Sequence, residues 1–171
     1  MQPVIRAPRL DELEGLRDIE RAAGALFAEA GMPDIAANEP TPVDELREYV
    51  RAERAWVVDL DGRAVGYAVV DVIDGNAHLE QISVHPDVGR RGLGAALLDH
   101  VCARAGEQGY EAVTLTTFAD LPWNAPFYTQ HGFRVLAEDE IGPELRAKRD
   151  QEGAEGLDLS RRVCMSAALG R

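Results

Sequence analysis

Apolar residues recur along the chain with two different periods, and the switches between them divide it into segments. Residues 3–7 read as a short first strand. Leu10, Leu13, Leu16, Ile19 and Ala23 then fall three or four apart, the spacing of one buried helix face, and predict a helix over 9–30. Gly31 ends it, and a loop runs on to Pro40. Thr41, Pro42, Asp44 and Glu45 predict a second helix, capped at Thr41 and reaching about Glu53. Residues 55–60 and 64–73 are β-rich runs joined by Asp61-Gly62-Arg63, and Asp74-Gly75-Asn76 turns the chain into a further strand over 77–84. Leu93, Leu97 and Val101, with Leu98 and Cys102 beside them, return to helical spacing as far as Gln108-Gly109. A β-rich run follows at 111–118, then a short helix through Gln130 closed by Gly132, and a strand over 133–137. A charged, helix-prone stretch lies between Pro143 and Glu152, before a last strand over 162–169. This order predicts a single domain over 1–171 of the α/β (α+β) class: a mixed central sheet of about six to seven strands with helices on both faces.

The segment between strand 77–84 and the helix that follows carries the most chemistry. Gly89-Arg90-Arg91-Gly92-Leu93-Gly94 leads into a helix start, where unpaired N–H groups and the positive end of the macrodipole stabilise an anion. Gly89, Gly92 and Gly94 let phosphate oxygens approach the backbone, and Arg90 and Arg91 add charged donors. A diphosphate is the expected ligand, although such a turn, taken alone, also serves as a tight connection. No Gly-Lys-Ser/Thr ends the segment, and its glycines are spaced G-x-x-G-x-G. Neither a nucleoside triphosphatase loop nor a dinucleotide fingerprint fits.

Composition narrows the partners. A formal net charge of −12 argues against general nucleic-acid binding and suits a cationic substrate such as an amine, while also serving plain solubility. No apolar run approaches the ~20 residues that span a bilayer, so no membrane is involved and a soluble, cytoplasmic protein is expected. Cys102 and Cys164 are too widely spaced for a metal site or a disulfide framework, so no metal is expected and both read as buried thiols.

Two motifs together carry a family resemblance. Ile82-Ser83-Val84-His85-Pro86 followed by the glycine-rich turn, and Phe127-Tyr128-Thr129-Gln130-His131-Gly132-Phe133 further on, resemble the signatures of the GNAT superfamily of acyl-CoA-dependent N-acetyltransferases. The order of elements matches over nearly the whole chain. One position departs: Gly89 stands where the family usually has Arg or Gln, so one side-chain contact to the diphosphate is missing.

The resemblance implies a sheet splayed between its fourth and fifth strands, with the pantetheine arm of acetyl-CoA, the co-substrate, pairing along Ile82, Ser83 and Val84. It places the diphosphate on the amides of Arg90, Arg91, Gly92, Leu93, Gly94 and Ala95, and Phe127 beside the cofactor. Tyr128 matches the tyrosine that protonates the leaving thiolate. Glu80 is the first choice for the base that deprotonates the amine, with its same-face neighbour His78 the alternative. Asn124 either bonds the pantetheine or caps the short helix. Neither cysteine is placed for an acetyl-enzyme, so direct attack in a ternary complex is expected. The acceptor is a primary amine on a small molecule or peptide, and the apolar positions of 141–160 and of the last strand leave a homodimer open. A degenerate member that only senses acyl-CoA is the other class; retention of Tyr128 and Glu80 favours the enzyme.

Overall fold

The computed structural model describes residues 2–170; Met1 and Arg171, the ends of the single-domain span expected from the sequence, lie outside the described residues. The chain forms two compact units, one made of residues up to Val70 with Gln81–Val101, the other of Asp71–Glu80 with the residues from Cys102 on.

In the first unit, β1 (Val4–Arg6) pairs antiparallel with β2 (Ala55–Leu60), and β2 with β3 (Arg63–Ile73), with a register shift at Val58 and Asp59. Between β1 and β2 lie α1 (Leu13–Glu29), α2 (Pro33–Ala36) and α3 (Val43–Arg51). Leu13, Leu16 and Ile19 of α1 and Leu46 of α3 pack on Ala55 and Val57 of β2 and on Tyr67 and Val69 of β3, all buried. That helical stripe is the one the spacing predicts, except at its start: Leu10 sits in a 3-10 turn ahead of α1 and is exposed. The stretch expected as loop contains α2, whose first residue is Pro33, where a missing N–H is harmless.

Thr41 does not cap α3. Pro42 holds that position, and Thr41 turns its backbone N–H and hydroxyl to the Glu20 carboxylate, both at 3.1 Å. The buried Tyr67 hydroxyl donates to the same carboxylate. A half-buried carboxylate draws the donors around it, and that demand outweighs a local cap.

Strand β4 (Asn76–Val84) and helix α4 (Leu93–Glu107) run through both units. In the second unit β4 lies parallel to β5 (Ala112–Phe118), with partners recorded at Ala77↔Val113 and His78↔Thr114. On its other edge β5 is paired antiparallel with β7 (Arg162–Ala168) along its whole length, from Ala112↔Ala168 to Phe118↔Arg162. After α5 (Ala125–Gln130), β6 (Arg134–Val135) joins the outer side of β7. It is shorter than the expected strand because the Phe133 N–H closes α5 by donating to the Tyr128 carbonyl at 3.1 Å. Strand order across the sheet is β1-β2-β3-β4-β5-β7-β6. Helix α6 (Pro143–Ala154) is tied to the β3–β4 turn, since the Asp74 carboxylate accepts from the N–H groups of Glu144 (2.9 Å) and Leu145 (3.0 Å). No helix among the described residues is long and apolar enough to cross a membrane.

Candidate active site

Strand β4 carries Ile82, Ser83 and Val84 at its end, with Ser83 buried and accepting a 2.7 Å hydrogen bond from Gln81 Nε2. Gly66 on β3 lets the Ser83 carbonyl come close: a Cβ there would stand 2.9 Å from that oxygen. The His85 N–H donates to the Val65 carbonyl at 2.8 Å, and Pro86–Val88 make a 3-10 turn. Gly92 then takes φ 76°, as only glycine does without strain, and Arg90, a side-chain residue, takes φ 64°. Such a left-handed non-glycine residue is held by its surroundings, and these positions concentrate where a ligand is gripped. Gly89 is extended, with φ −64°, so its value lies in the absent side chain rather than in a special backbone angle. Leu93, Leu97, Leu98 and Val101 are buried and fix α4, leaving its first turn to present N–H groups beside the exposed Arg90 and Arg91.

The titratable cluster lies in the second unit. His78 and Glu80 point to one face of β4, two residues apart. His78 is fully buried, its Nδ1 2.8 Å from Thr114 Oγ1 and its Nε2 3.8 Å from Glu80 Oε2. Burial, reinforced by the Lys148 charge, lowers its pKa to about 4, so the ring is neutral at physiological pH. Lys148 of α6 brings its Nζ to 2.6 Å from Glu80 Oε2. Burial pushes the Glu80 carboxyl up to about 7, the Lys148 ammonium opposing that rise and Asp71 adding to it. A carboxyl that titrates near neutrality accepts a proton and gives it back under working conditions.

Tyr128 is buried on α5, its ring edge-on to Phe127 at 5.2 Å and to Phe133 at 5.7 Å. Burial pushes its hydroxyl above the ordinary phenol range, against the pull of Arg162, so it keeps its proton at neutral pH. Phe127 also packs on His131 at 4.6 Å. The Asn124 side chain makes no cap bond to α5; its Oδ1 accepts from Thr117 Oγ1 (2.7 Å) and the Phe118 N–H (3.3 Å), joining the start of α5 to the end of β5. Beside it Arg162 pairs with Glu152 at 3.2 Å, donates to Thr116 Oγ1 at 3.0 Å and lies over the Phe118 ring.

Glu80 and His78 are therefore neighbours, as their spacing implies, while Lys148 and Asp71 enter the cluster unannounced. Lys148 is some seventy residues from Glu80 in sequence, and no local pattern connects the two.

Comparison with known proteins bears on these features together. The model of the acetyltransferase (GNAT) family matches residues 19–133. The chain is similar to the tRNA(Met) cytidine acetyltransferase TmcA of Aeropyrum pernix, at 35% identity over 102 residues, which are 53% of this chain and 14% of that protein. It is also similar to the mycothiol acetyltransferase of Clavibacter sepedonicus, at 36% identity over 81 residues, 47% of this chain and 27% of that protein. The chain thus spans only a minor part of either relative's length. In fold it is similar to the PaiA N-acetyltransferase of Thermoplasma acidophilum, solved in complex with coenzyme A, with a TM-score of 0.69 at 16% identity, covering 98% of this chain and 99% of that one. With the family model matching more than half of its residues, the chain belongs to the GNAT acetyltransferase family.

Proposed function

We propose that residues 1–171 form one N-acetyltransferase domain that moves the acetyl group of acetyl-CoA to a primary amine by direct attack. The observation that carries this reading is Glu80, a mostly buried carboxyl held near neutrality on the strand that leads into the glycine-rich turn. Glu80 is preferred to His78 as the base, because an imidazole with a pKa of about 4 retains a proton from an ammonium far less readily.

In this reading the amides of residues 90–95 and the Arg90 and Arg91 side chains hold the diphosphate, the backbone of Ile82, Ser83 and Val84 pairs with the pantetheine, and Phe127 lies along it. Glu80 takes a proton from the acceptor ammonium, directly or through water. The freed amine bonds to the acetyl carbonyl carbon, the carbon–sulfur bond breaks, the Tyr128 hydroxyl gives its proton to the departing thiolate, and the second proton shed by the acylated nitrogen returns to Tyr128 through solvent. His78 keeps Glu80 company as a neutral ring steadied by Thr114. Asn124 holds α5, and so Tyr128, against the end of β5. The acceptor is a small molecule or a peptide, and two cysteines, Cys164 buried as expected and Cys102 only half-buried, fit a reducing, cytoplasmic setting.

The test is release of free CoA on incubation with acetyl-CoA and a panel of small and peptide amines. Turnover with at least one amine is the expected result. Tight acetyl-CoA binding with no turnover on any amine would make the protein a sensor instead.

A further inference from the structure

The chain has one lysine. Of its 18 basic residues, 17 are arginine, and the exception is Lys148, whose Nζ lies 2.6 Å from Glu80 Oε2. Its place is well defined: the Asp74 carboxylate caps the first turn of α6, and Lys148 follows one turn later with its side chain about a fifth exposed. Helix α6 also lies beyond the residues matched by the family model, so the lysine is brought to Glu80 by a segment outside the shared motifs.

A general base must stand within about 2.6–3.2 Å of the nitrogen it deprotonates. Around Glu80 that position is filled by a primary amine of the protein itself. An arginine there would be a permanent cation with no nucleophilic nitrogen, whereas a lysine ammonium becomes an amine when it loses a proton. Taken with the reading of Glu80 as base, we propose that Lys148 is the resident acetyl acceptor of this enzyme, modified in cis when acetyl-CoA is bound and no external amine has replaced it.

The step balances as it does for an external acceptor. Glu80 accepts a proton from the Lys148 ammonium, Nζ bonds to the acetyl carbonyl carbon, and the carbon–sulfur bond breaks. The thiolate takes the Tyr128 proton, the acylated nitrogen sheds its second proton to the tyrosinate through solvent, and Nε-acetyl-Lys148 and free CoA remain. The acetylated side chain is neutral and no longer pairs with Glu80, so the modification also changes the charge beside the base.

The experiment is intact-mass and peptide-mapping mass spectrometry of the full chain after incubation with acetyl-CoA alone. One acetyl group on Lys148 is expected, gained at a rate independent of protein concentration, absent in Lys148→Arg, slowed at least tenfold in Glu80→Gln, and suppressed by an acceptor amine that the enzyme turns over. Lys148 left unmodified by an enzyme that does acetylate an external amine would overturn the inference. So would equal modification rates in the wild type and Glu80→Gln, since the thioester would then be acting without the base. A protein that binds acetyl-CoA by calorimetry yet acetylates neither Lys148 nor any amine would overturn the N-acetyltransferase reading itself.

Discussion

Replacing Gly66 by alanine tests the close approach of β3 to the strand assigned to the pantetheine. The added Cβ would meet the Ser83 carbonyl oxygen at 2.9 Å, Val58 Cγ1 at 2.9 Å and Val84 Cγ2 at 3.1 Å. Val58 can rotate or yield. The Ser83 oxygen is backbone in a buried strand and moves only if β4 moves. Overpacking of this kind costs about 1–3 kcal/mol. Restricting the unfolded chain with alanine returns about 0.4–1 kcal/mol. The two ranges leave a net loss centred on about 1.3 kcal/mol and at most about 2.6 kcal/mol, so the expected melting temperature is roughly 3–5 °C lower for a chain of this size. Because the shift falls on Ser83, acetyl-CoA affinity should drop about tenfold by calorimetry, equivalent to about 1.4 kcal/mol. Gly15→Ala is the matched control: its Cβ meets nothing within 4 Å on α1, and removing a helical glycine should stabilise by up to about 1 kcal/mol. A Gly66→Ala protein that melts within about 1 °C of the wild type and binds acetyl-CoA equally well would refute this account of the β3–β4 contact.

Three further outcomes follow from the candidate site. Glu80→Gln should lower turnover about 10²- to 10⁴-fold with little change in acetyl-CoA affinity, and should abolish the acid limb that the wild-type kcat/KM profile is expected to show near pH 7. In stability the sign runs opposite to that of an ordinary paired carboxylate. Between its usual 4.5 and about 7, Glu80 keeps a proton in the folded state that the unfolded chain has released, so its contribution is full below pH 4.5 and lost as pH rises through 7. Because His78, whose pKa is lowered to about 4, gives an opposite trend up to about pH 6.5, the Glu80 contribution is read as a difference: from pH 5 to pH 8 the urea midpoint of the wild type should fall relative to that of Glu80→Gln, and equal changes in the two proteins would refute it. Tyr128→Phe should cut turnover while leaving acetyl-CoA affinity nearly intact, and unchanged turnover in steady-state assays would remove Tyr128 from the acid role.

The sequence by itself determined the order of elements apart from the short α2, because periods of two and of three to four are local: Leu13, Leu16 and Ile19 announce the buried face of α1, and Leu93, Leu97 and Val101 that of α4. It determined the family as well, because the glycine-rich turn and the Phe-Tyr-x-x-x-Gly-Phe run are contiguous and can be read without a fold. Tertiary structure decided what depends on residues far apart in the chain. Thr41 serves Glu20, which Tyr67 also bonds, instead of α3, because a half-buried carboxylate draws the donors around it. Asn124 spans to β5 rather than capping α5, and Phe133 ends α5 instead of lengthening β6. The charge state of Glu80 belongs to the same class. Its spacing from His78 is local, but the burial that lifts one carboxyl and lowers one imidazole, and the single lysine that α6 brings to Oε2, exist only after the chain has folded around them.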